Sequence, residues 1–333
     1  MIPGVDPIWF WLGFIGLILL LLELDIGLFN RKDHVIGVKE AVGWTFVWIG
    51  VSMAFVALMW WFNAWSNQEA LEFLTGYIVE KSLSMDNLFI FLLIFTAFKI
   101  PRAYQHRVLF WGIFGAIVMR GLFIVLGAAL LSRFQWVFYI FGVIILWGAY
   151  HMQFQKEKKF DPEHSIAVRM VRWFFPVSGK DHGHDFFVKE NGRWLATTLF
   201  VTLITIELSD VVFATDSIPA IFAITTDPFI VFTSNIFAIL GLRSLYFALA
   251  GLHSMFVYLK TGLAIILAYI GVKMLLYQFW HPPIILSLAI ILGVLGVSII
   301  ASLSAARRHP EVHPHVERDD GEVHMDVSAH HKK

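Results

Sequence analysis

The chain has 333 residues, of which 58% are hydrophobic and only 15% are charged. A soluble protein keeps about a quarter of its residues charged, and this sequence instead repeats apolar runs of about 20 residues, each long enough to cross a bilayer. The zero net charge argues against a nucleic-acid partner, and the absence of cysteine excludes disulfides, thiolate metal sites and thiol catalysis. Composition therefore predicts a multi-pass, all-α membrane protein.

About nine transmembrane spans are predicted along the chain. The segment before the first span has no lysine or arginine, so we interpret this span as a retained helix and not as a secretory signal. The predicted spans are 8–28, 40–62, 72–98, 106–131, 135–153, 196–224, 229–249, 260–277 and 284–304.

The distribution of lysine and arginine among the loops predicts the orientation. Basic residues are concentrated after the first, third, fifth, seventh and ninth spans, and the alternate loops contain only Arg133. By the positive-inside rule, the N-terminus lies outside and the C-terminus lies in the cytoplasm. We therefore expect a multi-pass protein of the bacterial inner membrane.

The spans group into units separated by polar segments. We expect the loop after the fifth span to be a structured cytoplasmic insertion and the polar, histidine-containing tail to be disordered. The units are 1–65 with two N-terminal helices, 70–153 with three helices, the loop 154–195, 196–278 with three helices, 283–304 with the ninth helix, and the tail 305–333.

The two three-helix units share a pattern of acidic residues. Glu80 and Asp86 are six residues apart in the first unit, as are Asp210 and Asp216 in the second. Because each unit has an odd number of helices, the second copy enters the membrane inverted. The pattern predicts a 3+3 inverted repeat, an architecture that places a transporter's substrate site near the midplane.

Two further matches follow in the same order along each unit. Arg120 and Arg243 lie in the second span of their units, and His151 and Lys273 lie near the end of the third span. The alternative is that polar residues occur at similar depths by chance. Three matches in the same order favour the repeat over this alternative.

Many ionisable residues lie within predicted spans, where a charge costs a few kcal/mol or more unless it is paired, protonated or functional. The acids outnumber the bases, which leaves negative charge for a bound cation to balance. Carboxylate, amide and hydroxyl oxygens suit Mn²⁺, Ca²⁺ or Mg²⁺ better than zinc or copper. The candidate metal ligands are Glu80, Asp86, Asn87, Glu207, Asp210, Asp216 and Ser217, and the candidate balancing cations are Arg120, Arg243 and Lys273.

Pro219 affects the expected geometry of the sixth span, because proline removes a backbone hydrogen bond to Thr215 and crowds that residue. We expect either local unwinding near Thr215, which would turn Asp216 inward, or an ordinary proline kink. A structural alternative for all the acids is that they bind Arg120 and Arg243 and hold helices together.

Three segments resemble the TerC/Alx family of bacterial membrane proteins, and particularly its Alx branch. They are residues 74–87, 207–223 and 234–247, and the resemblance extends from about residue 8 to residue 304. The resemblance implies manganese export from the cytoplasm, metal homeostasis, a link to alkaline pH and, by older naming, tellurium resistance. By position, the family's acidic residues correspond to Glu80, Asp86, Glu207, Asp210 and Asp216. His151 departs from the pattern, which implies a lysine there to match Lys273.

We therefore expect an ion transporter that exports divalent metal ions, with Mn²⁺ as substrate and no other cofactor. Its expected partners are the metal ion, the lipid bilayer, and a second copy of itself or other membrane proteins. The alternative is a non-transporting scaffold that assists metal loading or insertion of other membrane proteins. An enzyme is not expected, because the sequence contains no His-Glu-x-x-His pattern, Gly-x-Ser-x-Gly pattern or nucleotide-binding loop.

Overall fold

The computed structural model describes residues 7–29, 37–62, 64–154, 166–178, 183–190, 192–250, 258–280, 282–308, 317–319 and 322–324. These residues form eleven α-helices and two short antiparallel hairpins. The helices are α1 (Pro7–Phe29), α2 (Val38–Trp61), α3 (Asn67–Ala97), α4 (Arg102–Arg133), α5 (Val137–Phe154), α6 (Ile166–Phe174), α7 (Thr198–Phe222), α8 (Pro228–Leu240), α9 (Leu242–Ala250), α10 (Leu259–Leu275) and α11 (Ile284–Arg308). The strands are β1 (Phe187–Glu190) paired with β2 (Arg193–Ala196), and β3 (Glu317–Asp319) paired with β4 (Glu322–His324).

The lengths and hydropathies of the helices confirm an all-helical, multi-pass membrane protein. In the described part of the chain, α2, α4, α5, α7 and α11 are each long and apolar enough to cross a membrane. The pair α8 and α9, bent by 42° at its break, passes the same test as one unit and makes a sixth candidate span. The prediction of nine spans is thus supported at six of them.

The other three predicted spans coincide with helices that fail this test for identifiable reasons. The helix α1 extends over 23 residues, but its described side chains cover only Ile8–Leu24, and α10 has only 17 residues. Charged side chains interrupt α3, including Glu80, Lys81 and Asp86.

Local sequence signals set the starts of the helices that surround the buried charges. Ser66 caps α3 by accepting a hydrogen bond from the Glu69 amide, and the Glu69 side chain accepts one from the Ser66 amide in return. Asp227 caps α8 by accepting from the amides of Phe229 and Ile230. These oxygens satisfy amides that have no partner within a helix.

The helix α7 is continuous through Pro219, so the local unwinding considered near Thr215 does not occur in the structure. Proline removes a single backbone bond, and Pro219 itself accepts a hydrogen bond from the Ala223 amide at 3.0 Å. The residues around Pro219 are buried, so packing against neighbouring helices holds the turn in place. The bend occurs instead in the next span, at Gly241, where sequence analysis predicted one unbroken helix.

The transmembrane core is built from crossed pairs of helices. The first helix of each predicted three-helix unit packs against the second helix of the other, α3 on α8 and α4 on α7, and α5 packs along α10. The helices α1 and α2 cover the α8–α9 side through an aromatic cluster that includes Phe14, Phe55, Phe229 and Phe237. A buried interior therefore lies between α3, α4, α7 and α8.

Two glycines bring α5 and α10 into backbone contact. A Cβ atom at Gly142 would lie 3.2 Å from the carbonyl oxygen of Gly271 and 2.9 Å from Leu275. A Cβ atom at Gly271 would lie 3.2 Å from the carbonyl oxygen of Gly142 and 2.8 Å from Leu146. The contacts are reciprocal, because each glycine meets the other glycine and the leucine four residues after it.

A small surface lobe connects α5 to α7. It consists of α6, residues 175–178 and 183–186, and the β1–β2 hairpin, and its apolar residues Val168, Val171 and Ala196 pack on Val201 of α7. Within the predicted insertion 154–195, residues 155–165, 179–182 and 191 lie outside the described part. Most of the predicted disordered tail 305–333 also lies outside it; the described part contains the end of α11 and the β3–β4 hairpin.

Candidate functional site

A fully buried arginine on α4 joins acids from the two three-helix units. Arg120 is 0% exposed, and it donates from Nε and Nη2 to the two carboxylate oxygens of Asp210 on α7, at 3.1 Å and 2.9 Å. Its Nη1 donates to Glu80 Oε1 on α3. Charge-assisted, bidentate pairs of this kind are stronger than neutral hydrogen bonds and fix the orientation of both partners.

Polar side chains from α7 and α8 complete what we call the Arg120 cluster, which consists of Glu80, Arg120, Asp210, Ser217 and Asn235. Arg120 Nη1 lies 3.4 Å from Ser217 Oγ and 3.3 Å from Asn235 Oδ1. All five side chains are buried. Four helices thus converge on one guanidinium group.

Among the residues that the structure describes, two buried atoms of the cluster find no hydrogen-bond partner, namely Glu80 Oε2 and Asn235 Nδ2. Ser84 donates to the other oxygen of Glu80, at 3.3 Å. An unsatisfied buried polar atom costs about 1–3 kcal/mol, so these two atoms are the acceptor and the donor that a ligand of the cluster would use.

The cluster contains two carboxylates and one guanidinium. The adjacent base, Lys81, is 7% exposed, and its Nζ donates to the carbonyl of Ala238 at 3.1 Å. Neighbouring residues on a helix point in different directions, so Lys81 makes its hydrogen bond to α8 outside the cluster. With both carboxylates ionised, the five residues of the cluster carry one excess negative charge, and Lys81 interacts electrostatically with Glu80 from outside the cluster.

Glu207 lies next to the cluster in a notch of α4. It is half-buried, precedes Asp210 by three residues and therefore shares its helix face. Its carboxylate fills the space above Gly115, where a Cβ atom would overlap it, and lies 3.9 Å from the corresponding position at Gly112. In the described part of the chain, Glu207 forms no ion pair.

We expect Gly115→Ala to displace the Glu207 carboxylate and, because the tip of a flexible side chain can move aside, to be less stable than Gly50→Ala by only about 1 kcal/mol. The measurement is the thermal unfolding midpoint in detergent. Gly50→Ala on α2 is the control, because a Cβ atom there meets nothing within 4 Å. Equal midpoints for the two variants would contradict the predicted notch.

Asp216 lies apart from the cluster, against α5. It is half-buried and follows Asp210 by six residues, which is about 9 Å along the axis and 240° around the helix. A Cβ atom at Gly148 would lie 2.9 Å from its carboxylate, and His151 on the same helix interacts with it electrostatically.

Asp86 and Asn87 lie on α3, six and seven residues beyond Glu80. Asp86 is half-buried and Asn87 is buried, but neither bonds to Arg120. The three predicted ligands that converge on Arg120 are Glu80, Asp210 and Ser217, while Glu207 lies beside them. The predicted ligand set is therefore distributed along the two helices.

The predicted balancing cations are also separated. Arg243 is 2% exposed and lies on α9 just after the break, whereas Lys273 is half-buried on α10. Lys273 donates to Ser287 on α11 at 3.5 Å, and the same hydroxyl group lies 2.9 Å from the Tyr269 hydroxyl. Arg120 is the cation that bonds to Glu80 and Asp210.

Among the described residues, no three Asp, Glu or His side chains converge closely enough to hold a metal ion. The position of Arg120 explains this, because its guanidinium lies between the carboxylates of Glu80 and Asp210. Sequence reasoning missed Asn235 and Ser84 as members of this network. Asn235 had a usable signal, since an asparagine within an apolar span is costly unless it has partners.

Comparisons with known proteins identify the family. The model of the integral membrane protein TerC family matches residues 65–310, which is most of the chain. The protein belongs to the TerC family. The matched region of this TerC-family chain contains every member of the Arg120 cluster and excludes α1 and α2.

Relatives align along nearly the whole chain. An uncharacterized membrane protein of Myxococcus xanthus, STKORF319, is 48% identical over 308 residues, which cover 92% of this chain and 96% of its own. Relatives from Escherichia coli K12 and Shigella flexneri are 44% identical over 306 residues, covering 90% of this chain and 95% and 96% of theirs. Both are named Alx and described as proposed membrane-bound redox modulators. The resemblance that the sequence motifs predicted is thus confirmed, and no solved structure matches the chain.

Proposed function

We propose that this TerC-family protein is a secondary exporter of divalent metal ions and that Mn²⁺ leaves the cytoplasm through it. The observation that carries the proposal is the Arg120 cluster, in which an excess carboxylate charge is buried between four helices. A charge in this position is costly unless it has a function or a partner. Its oxygen atoms are the donors that Mn²⁺ accepts.

In the proposed mechanism, Arg120 is the internal cation of the empty protein. It neutralises part of the charge of Glu80 and Asp210 until a metal ion binds those carboxylates in its place. Glu207, one helix turn before Asp210, provides a further carboxylate on the same face. Exchange of metal for protons at these carboxylates would couple export to the proton gradient.

Asp86 and Asp216 would serve as staging sites on opposite sides of the cluster. In the proposed orientation, with the N-terminus outside, α3 runs towards the cytoplasm and α7 runs away from it. Asp86 then lies on the cytoplasmic side of Glu80, and Asp216 lies on the outer side of Asp210. An ion on its way out would meet Asp86, then the Arg120 cluster, then Asp216.

The proposed exporter has nine spans and a 3+3 inverted repeat that relates α3–α5 to α7–α10. The crossed packing of α3 on α8 and α4 on α7 supports this symmetry, as do the reciprocal contacts of Gly142 and Gly271. If Gly142 corresponds to Gly271, the alignment of α5 with α10 is shifted by two helical turns from the alignment that matches His151 with Lys273. By this register, His151 does not replace a lysine, because the residue equivalent to Lys273 lies earlier on α5.

The Alx relatives are named as redox modulators, and for this chain we propose that any such role depends on its metal substrate. Mn²⁺ is a redox-active ion, so its export would affect redox balance. Thiol exchange within this chain is excluded because the chain contains no cysteine.

The test is the flux of radioactive Mn²⁺ in proteoliposomes that contain only this protein, with and without a pH gradient. We expect gradient-driven flux in the wild type and at least about a tenfold loss in Asp216→Asn and Asp86→Asn, because each substitution keeps the side-chain size and removes a staging charge. Glu23→Gln, at an exposed carboxylate on α1, is the matched control and should retain full flux.

The outcomes separate transport from the scaffold function. Wild-type flux in both aspartate variants would contradict the proposed path. An absence of flux under every gradient, with protein that remains folded and monodisperse, would contradict the exporter and favour the non-transporting scaffold.

A further inference from the structure

The surface lobe between α5 and α7 carries an unusual set of exposed side chains. Trp173 is 82% exposed, Ile166 is 78% exposed and Phe174 is 65% exposed, all on α6, and Trp194 on β2 is 61% exposed. Such large apolar groups on one small lobe indicate contact with another surface.

Helix α6 has two apolar sides. Val168 and Val171 face α7 in the core of the lobe. Ile166 and Trp173 are seven residues apart and so share the face opposite to that core. An ordinary surface helix would carry polar residues there.

Positive charge accompanies these apolar residues. Arg169 and Arg172 are exposed along one flank of the outer face of α6, and Lys189 and Arg193 are exposed on the hairpin. In the described part of the chain, none of these four side chains forms an ion pair. The described residues of the lobe contain only two acids, Asp185 and Glu190, so the lobe is net positive.

The lobe is held at the end of the membrane helices. Its core includes Phe98, just beyond α3, and β2 leads directly into α7 through Thr197. Arg107 at the start of α4 donates to the carbonyl of His184, and the Tyr104 ring packs edge-on against the His184 ring at 4.4 Å. The lobe therefore lies at the level where the candidate membrane span α7 begins.

We propose that this lobe is an interfacial lipid-binding element that docks on anionic phospholipid headgroups of the surrounding bilayer. Trp173 and Ile166 lie at the headgroup boundary, where tryptophan is favoured, and Arg169 and Arg172 bind lipid phosphates. Because Val168 and Val171 pack on α7, lipid binding at the lobe also holds the start of the helix that carries Glu207 and Asp210. The inference does not depend on the identity of the transported ion.

The natural absence of cysteine allows a direct test on the full chain. A spin label is attached to Trp173→Cys, and the protein is placed in nanodiscs of phosphatidylcholine alone or mixed equally with phosphatidylglycerol. Trp147→Cys, 67% exposed on α5, provides the hydrocarbon reference, and a free label in buffer provides the water reference. The readout is the collision rate of each label with a water-soluble nickel chelate.

We expect the label at position 173 to be shielded from the chelate in the anionic discs, with a collision rate between the two references. Each arginine near a charged membrane strengthens binding about fivefold, so Arg169→Gln combined with Arg172→Gln should abolish the difference between the two lipid compositions. Arg133→Gln, which removes one charge at the other end of α4, should preserve it.

A label at position 173 that collides as freely as the water reference in both lipids would overturn the proposal, as would a lipid difference that survives the double arginine substitution. If Trp173→Cys does not yield folded protein, the same measurement at Trp194→Cys decides the question with the same outcomes.

Discussion

Replacing Arg120 with glutamine is expected to destabilise the protein by about 3–5 kcal/mol, because it leaves Glu80 and Asp210 buried without their cation. The thermal unfolding midpoint in detergent should fall, and the yield of monodisperse protein should fall with it. Few single substitutions have effects this large, and those that do usually leave an uncompensated buried charge.

The matched control removes all three charges together, as Glu80→Gln, Asp210→Asn and Arg120→Gln. This triple variant should recover most of the lost stability, since the desolvated carboxylates that cause the loss are absent. It should nevertheless fail to transport Mn²⁺, because the proposed ligands are gone. Recovery of both stability and flux would show that the cluster only holds helices together. A triple variant as unstable as Arg120→Gln would contradict the charge-based explanation.

Substituting alanine for Gly142 or Gly271 is expected to destabilise the protein by about 1–3 kcal/mol in each case, with similar effects at the two sites. The new Cβ atom would lie 3.2 Å from a backbone carbonyl oxygen of the facing helix, and backbone cannot move aside as a side-chain tip can. The helices α5 and α10 would have to separate. Comparison of the two thermal unfolding midpoints in detergent measures the effect.

Gly293→Ala on α11 is the control for this pair, because a Cβ atom there meets nothing within 4 Å. Alanine is favoured over glycine within a helix by about 0.5–1 kcal/mol, so this variant should be as stable as the wild type or slightly more stable. Destabilisation at only one of the two facing glycines would argue against the reciprocal contact and weaken the proposed symmetry.

Apolar run length predicted the positions of the helices well, since the same runs that can cross a membrane also form the observed helices. It did not predict the break at Gly241, because glycine is common within membrane helices and the nearby polar residues Arg243 and Ser244 are too few to interrupt the apolar run. The helix α3 fails the hydropathy test for a membrane span although its position was predicted. The charges responsible, Glu80 and Lys81, are buried by packing that a hydropathy profile does not include.

The acids of the candidate site were predictable from their cost in a membrane, but their grouping was not. The six-residue spacing already separates Asp216 from Asp210 around the helix. The way in which α3, α4 and α7 cross determines which acids contact Arg120. This crossing is a property of the tertiary structure, so the sequence pattern of one helix does not predict it. The unwinding considered at Thr215 was wrong because a buried proline can remain within a packed, continuous helix.

In the proposed exporter, the position of Arg120 between two carboxylates would favour divalent over monovalent cations. A monovalent ion that replaced the guanidinium would leave the same residual charge and would forfeit five-donor hydrogen bonding, so Na⁺ and K⁺ gain nothing by entering. In the proposed exporter, a doubly charged ion would neutralise both carboxylates at once, which would compensate for the loss of their ion pairs with the arginine. The same side chain that closes the empty protein would thereby reject the abundant alkali cations of the cell without any need for a size filter.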